Sequence, residues 1–239
     1  AYYCLAGFVF TLTVVSSILV HRGHFENPAK KRFIFFKFHP LWYKMLSLSV
    51  LKGVAQGYIV TAPVMLIRTL VGEEGSLGTI LSIAAFLSAI LLYILGRLTK
   101  PEHRMKIFTI GLVLFMIGAI FNASLYSAVG AILFVVCLSF ARPLLDIAYF
   151  PIQLQVIDFV SNKEGRNNFA YIFNHEIGLL AGRLIGGGLF IILARYVSEY
   201  VALRYALLVI AAIQLFSIGI AGKIVKDKGF KEANNVNRS

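Results

Sequence analysis

The chain has 239 residues, of which 59% are hydrophobic and 14% charged, with a mean hydropathy of +0.80 and a net charge of +12. Such a high apolar content exceeds what the core of a soluble protein needs, and it predicts an integral membrane protein in contact with a lipid bilayer. The basic residues fall in short connections between apolar runs, which is typical of membrane topology. We therefore expect no nucleic-acid partner.

Seven apolar runs are candidate membrane spans, since about 20 helical residues cross the roughly 30 Å of hydrocarbon in a bilayer. The sequence predicts an all-α membrane protein, a polytopic transmembrane helix bundle with seven spans. The runs are residues 1–20, 41–69, 76–97, 106–123, 129–156, 169–193 and 200–222.

The connections between these runs alternate in charge. Lys and Arg are concentrated in the connections 21–40, 98–106 and 157–166 and in the tail 223–239, whereas the intervening connections contain Arg195 as their single basic residue. Because cytoplasmic loops are enriched in Lys and Arg, this alternation predicts a multi-pass protein of the cell (plasma) membrane whose C-terminus is cytoplasmic. The connection 21–40 also contains Phe, Trp and Tyr, a composition that favours the lipid headgroup region.

A short motif follows the second of the six spans after that long connection. Gly96, Leu98 and Arg104 fit the pattern G-x-L-a-D-r-x-G-r-r-x, whereas Lys100 and His103 replace its aspartate and second glycine. With this degenerate motif, the six spans bounded by basic segments resemble the C-terminal half of a major facilitator superfamily transporter.

The resemblance implies how the chain is organised. Residues 1–20 would be the last transmembrane helix of a preceding N-terminal half, 21–40 a basic cytoplasmic or interfacial loop, 41–222 the six-helix C-terminal transporter domain and 223–239 a basic cytoplasmic tail. It implies secondary active transport of a small solute by alternating access, with the N-terminal half as a partner and the proton as a candidate coupling ion. It also implies that the third and sixth helices of this half face lipid.

Nine polar or ionisable residues lie inside three of the predicted spans and are candidates for a substrate or ion pathway. A charge at membrane depth costs about 2.5–3.5 kcal/mol on insertion scales unless it faces protein or water. Helical spacing places Lys52 with Gln56, the four candidates of the fifth span, and Glu176 with Arg183 on shared faces. The five ionisable candidates sum to +1, which favours an anionic group. They are Lys52, Gln56, Arg142, Asp146, Tyr149, Gln153, Asn174, Glu176 and Arg183.

Two interpretations of these charges stay open from sequence. Arg142 with Asp146, and Glu176 with Arg183 or Lys52, could form structural ion pairs between or within helices. Alternatively, Asp146 or Glu176 could carry a proton during transport. The neighbouring histidine, at position 175, is either a packed core residue or part of a proton relay.

The sixth span also contains Gly178, Gly182 and Gly186, one at every fourth residue. Residues at this spacing lie on one face of a helix, and small side chains there allow a second helix to approach closely. The sequence therefore predicts a helix-packing face on the same span that carries Glu176 and Arg183.

The sequence leaves two other classes of function as alternatives. A membrane-embedded enzyme could use His175, Glu176 and Asp146, but the sequence has no His-Glu-x-x-His pair, no Gly-x-Ser-x-Gly elbow and no phosphate loop. We therefore expect no enzymatic activity, metal or cofactor. A seven-helix receptor is the other alternative, although it would not need opposing charges at mid-depth of three helices.

Overall fold

The computed structural model describes residues 2–23, 34–72, 74–227 and 229–230, with the backbone alone at 2, 5 and 74–77. Half of the basic connection 21–40 and most of the tail 223–239 therefore lie outside the described residues. The chain divides into two compact units, Ala1–Arg32 and Phe33–Ser239. Within the described ranges the backbone is helical apart from short connections, as the sequence predicts.

The first unit contains a single helix, α1 (Tyr2–Arg22), at the position of the first predicted span. Its described apolar part, Ala6–Arg22, is shorter than the other candidate spans and than the roughly 20 residues that a crossing requires. A seventh span thus remains a prediction.

The second unit is a bundle in which six helical segments are long and apolar enough to cross a membrane. Two π-helical turns, Leu193–Val197 and Ala202–Ala206, join the last two segments, and a 3-10 turn at Pro101–His103 precedes the third. The helices are α2 (Pro40–Leu70), α3 (Glu74–Leu98), α4 (Arg104–Leu125), α5 (Ala128–Glu164), α6 (Asn168–Ile192), α7 (Glu199–Val201) and α8 (Leu207–Val225).

The α5 helix extends eight residues beyond the predicted apolar run, which ended at 156. Residues 157–164 are more polar, but no Gly or Pro interrupts them, so the helix continues until Gly165 adopts a left-handed conformation with φ of +63°. Asn167 then begins α6, because its side chain accepts a hydrogen bond from the Phe169 amide at 3.0 Å. The predicted basic connection is therefore largely the last two turns of α5.

The basic connections meet at one end of the bundle, which we call the basic end. The Arg166 guanidinium, between α5 and α6, donates to the Lys37 carbonyl before α2 at 2.7 Å. The Phe159 ring packs against Phe230, beyond α8, with 5.8 Å between ring centroids. The segments before α2, between α5 and α6, and after α8 thus lie together.

The other connections meet at the opposite end. The Arg204 guanidinium donates to the Ala123 carbonyl at the end of α4, at 2.6 Å, and also to the Tyr200 hydroxyl. Thr69, at the end of α2, donates to the Glu199 carboxylate at 3.3 Å. The alternation of charge along the sequence therefore corresponds to two ends of one bundle.

Two hydrophobic clusters fill the bundle, one towards each end. The cluster at the opposite end contains Tyr58, Leu66, Phe115, Phe134 and Leu203, among other residues. The cluster at the basic end is built around Trp42, Met45, Val156, Tyr171 and Ile224. Between them, α2, α5 and α6 carry the charged residues that the sequence singles out.

The α2 and α6 helices approach at backbone contact along a glycine seam formed by Gly53 and Gly57 of α2 and Gly178, Gly182 and Gly186 of α6. A Cβ atom on Gly182 would overlap the Val50 carbonyl oxygen and lie 2.8 Å from the Cα of Gly53. No side chain larger than hydrogen fits in this seam, so glycine is required for the two helices to meet as they do.

The α3 helix, by contrast, leaves most of its apolar surface exposed and is attached mainly to α5. The Ser88 hydroxyl donates to the Ser139 carbonyl at 2.7 Å and bridges the two helices. An exposed helix with so apolar a surface is suited to contact with lipid.

Candidate functional site

A cavity of about 520 Å³ lies between the two hydrophobic clusters, and its walls come from α2, α4, α5, α6 and α8. Eight charged or polar residues line it. They are Lys52, Gln56, Arg142, Asp146, Tyr149, Arg183, Gln214 and Ser217. Six of these eight belong to the nine pathway candidates taken from the sequence.

Lys52 of α2 and Asp146 of α5 form the central ion pair of the cavity, with 2.9 Å between Nζ and Oδ1. The Lys52 ammonium also lies over the rings of Tyr149 and Phe150, 3.9 and 4.2 Å from their centroids. The Lys52 side chain is 15% exposed and that of Asp146 41%. The lysine charge is therefore compensated on several sides by protein, whereas its carboxylate partner remains accessible from the cavity.

The other two cations of the cavity are arranged differently. Arg183 donates through Nε to the Gln56 side-chain oxygen at 3.0 Å. Arg142 belongs to the same wall as Asp146, one turn away on α5, but among the described residues no carboxylate oxygen lies within 4.0 Å of either guanidinium. Asp146 thus pairs with Lys52 across two helices and not with Arg142 within one.

A hydrogen-bonded chain leads from the cavity to the exposed side of α6. The Tyr149 hydroxyl lies 2.7 Å from His175 Nε2, and His175 Nδ1 lies 3.3 Å from the Glu176 carboxylate. The imidazole is 1% exposed and the Glu176 side chain 57%. With its proton on Nδ1, a neutral imidazole accepts from Tyr149 and donates to Glu176, so the three groups form one continuous path.

Three pathway candidates do not line the cavity. Asn174 accepts a hydrogen bond from the Trp42 indole at 2.8 Å and ties the start of α6 to the start of α2. Gln153 is buried, and its side-chain oxygen has no partner among the described residues. Glu176 reaches the cavity only through His175 and Tyr149.

Two lining residues were missed by the sequence analysis. Gln214 donates to the Leu51 carbonyl at 2.6 Å, and Ser217 lies one turn further along α8. Their spacing of three residues within an otherwise apolar run was the available signal. Neutral polar residues do not prevent a helix from facing lipid, so the signal was weak.

The α4 helix also lines the cavity, through Phe108, Leu112 and Phe115. The resemblance assigned α4 and α8 to the lipid-facing side, but here each presents one face to the cavity as well. The cavity consequently has an apolar wall on α4 in addition to the charges of α2, α5 and α6.

The remaining sequence features lie away from the cavity. Gly96 and Leu98 are in the last turns of α3, Arg104 is the first residue of α4, and the 3-10 turn lies between them. Among the described side chains, no three His, Cys, Asp or Glu residues are grouped as metal ligands would be.

No protein-family profile, curated protein or solved structure matches the chain. A function is therefore inferred from the cavity and from the charged layer beside it. We define the charged layer as Lys52, Arg142, Asp146, Glu176 and Arg183.

Proposed function

We propose that the chain is part of a secondary transporter that moves a small solute across a membrane by alternating access. The observation that carries this proposal is the charged layer, which lies midway along apolar helices and remains partly exposed. Exposed charges at that depth are too costly in lipid, so this face requires water or another protein surface. A water-accessible polar site near the middle of the membrane is where alternating-access carriers bind their substrates.

The second element of the proposal is that residues 41–222 form one half of a major facilitator superfamily transporter. Six candidate spans, with the basic connections at one end, support this organisation. The exposed layer would then face the N-terminal half of that transporter. The protein would lie in the cell membrane with the basic end and the C-terminus in the cytoplasm.

Cysteine labelling in intact cells tests this topology. In a background with Cys4 and Cys137 replaced by serine, a cysteine at Asn162 is expected to react only after the membrane is permeabilised, because it lies at the basic end. A cysteine at Glu74, where α3 begins, is expected to react from outside. Labelling of both positions from the same side would contradict the proposed orientation.

Proton coupling is the third element. Glu176 is accessible, and His175 and Tyr149 connect it to the cavity, so a proton taken up at Glu176 can influence the Lys52–Asp146 pair. Asp146 is less suited to be the proton carrier, because its carboxylate is already engaged by the Lys52 ammonium at 2.9 Å.

Solute-dependent proton movement provides the test of transport. Proteoliposomes that contain the full-length protein and an entrapped pH-sensitive dye would be exposed in turn to sugars, amino acids, carboxylates and amines. We expect one class to change the internal pH, and we expect Glu176→Gln to abolish that change while counterflow of the same solute persists.

Glu102→Gln provides a matched control, since Glu102 is exposed in the 3-10 turn before α4. A Glu176→Gln protein with unaltered proton movement would contradict the role given to Glu176. If no solute of any class entered the vesicles by any assay, the transport proposal itself would fail.

A further inference from the structure

The charges of the cavity do not balance. Three cations line it, Lys52, Arg142 and Arg183, against the single carboxylate of Asp146. Asp146 is bound to Lys52 at 2.9 Å, so both guanidinium groups lack a carboxylate within 4.0 Å among the described residues. The cavity lining therefore carries an excess of two positive charges.

Guanidinium groups are suited to bind an anion in such a setting. Each has a planar arrangement of N–H donors that matches the oxygens of a carboxylate, sulfonate or phosphate group. Arg183 uses Nε on Gln56, which fixes the side chain and leaves its other donors available to a ligand. Arg142 has no hydrogen bond to any other described residue and is available entirely.

The apolar part of the lining indicates the chemistry of the rest of the ligand. Phe108, Leu112 and Phe115 present an apolar, partly aromatic surface from α4, and Leu138 and Ile59 extend it. A volume of about 520 Å³ is within the usual range for sites of small organic molecules. A small inorganic anion would leave this apolar wall unused.

We infer that the cavity binds an amphipathic organic anion, with its acidic group between Arg142 and Arg183 and its apolar body against α4. This assignment rests on the proposed transport function and names the class of solute. Gln214 and Ser217 also line the cavity and can bind a polar atom of the ligand body. The same two charges repel a cationic ligand and so contribute to selectivity.

The two guanidinium groups have another conceivable partner, an acidic segment of protein outside the chain. The cavity favours a small ligand, because its volume of about 520 Å³ suits a small organic molecule and its cations share the lining with an apolar wall. The experiment separates the two cases.

Binding would be measured by calorimetry on the purified full-length protein, with compounds that differ only in charge. Benzoate, benzamide and benzylamine form one set, and 3-phenylpropionate with its amide and amine forms a longer one. We expect a carboxylate to bind at least about tenfold more tightly than its amide, which corresponds to about 1.4 kcal/mol. The amine is expected to bind most weakly.

Substitutions assign that preference to the cavity. Arg142→Gln and Arg183→Gln are each expected to weaken carboxylate binding at least about tenfold and to leave amide binding unchanged. Arg97→Gln is the matched control, because Arg97 lies at the end of α3 against the Tyr93 ring, outside the cavity. Arg142→Lys is expected to recover part of the affinity, and thermal unfolding identifies a variant that fails to fold.

The remaining outcomes overturn either the anion assignment or the transport proposal. Equal or tighter binding of the amide or amine in both sets, or no carboxylate binding at all, would exclude an organic-anion site. Carboxylate binding that depends on neither Arg142 nor Arg183 would overturn the assignment. It would favour an acidic protein segment as the partner of the two guanidinium groups. Uptake of an amine or amide into proteoliposomes would overturn the anion assignment and leave the transport proposal intact. Carboxylate binding without uptake would overturn the transport proposal and leave the anion site intact.

Discussion

The glycine seam joins α2 and α6, whereas the charged layer lies on α2, α5 and α6, and the two regions tolerate very different changes. In the seam, α2 and α6 meet with no space for a single methyl group at Gly182. In the charged layer, Arg183 extends from the edge of that seam into a cavity of about 520 Å³. Close contact in the seam fixes the positions of the charges that α2 and α6 carry. Side-chain size is therefore the critical property in the seam, and side-chain charge in the cavity.

Gly182→Leu is the change that should disrupt the seam most strongly. The new side chain would overlap the Val50 carbonyl and the Gly53 backbone, which α2 can relieve only by moving away. We expect a loss of at least about 3 kcal/mol in the free energy of unfolding, measured by thermal or denaturant unfolding in detergent. Gly188→Leu on the same helix has no atom within 4 Å of its Cβ and serves as control. Equal stability of the two variants would contradict the seam.

The Lys52–Asp146 pair should show the next largest effect. Lys52→Met leaves a carboxylate without its partner, and because Asp146 is 41% exposed we expect a loss of about 2 kcal/mol, less than for a fully buried pair. Adding Asp146→Asn should recover most of that loss, as measured in a double-mutant cycle. The combination of Arg142→Gln with Asp146→Asn should show no such recovery. Coupling between Arg142 and Asp146 alone would instead support the pair within α5.

Tyr149→Phe should change stability least and still affect function. It removes one hydroxyl and its hydrogen bond to His175 but keeps the ring beneath Lys52, so the expected loss is about 1 kcal/mol. Uptake driven by a pH gradient should fall, whereas exchange at equal pH should persist. Phe150→Leu, which alters the other ring beside Lys52 without touching that hydrogen bond, is the control. Unchanged driven uptake in Tyr149→Phe would exclude the path through this hydroxyl.

The sequence could predict the helices and their grouping into two ends, because both follow from local properties. Apolar length determines which segments can span a bilayer, and the charge of the connections divides the ends, as Arg166 and Lys37 illustrate. The boundaries were less certain where no residue interrupts the helix, so α5 continues to Glu164.

The pairing of charges could not be predicted, because it depends on how helices pack. Helical spacing places Arg142 next to Asp146 whatever the position of α2, but the packing of α2 against α5 brings Lys52 to Asp146. His175 was identified from its neighbours, and its contact with Tyr149 requires the position of α5. Gln214 was missed because a single neutral amide in an apolar run does not show whether its side of the helix contacts lipid or protein.

Trp42 gives the bundle an optical reporter of its own. It is the only tryptophan of the chain, fully buried, with its indole N–H bound to Asn174 and its ring 5.0 Å from that of Tyr171. Indole emission shifts to longer wavelength as the ring becomes hydrated. Any opening of α2 from α6 near the basic end would therefore appear as a red shift in intrinsic fluorescence, without an added dye, and could be followed in real time as solutes bind.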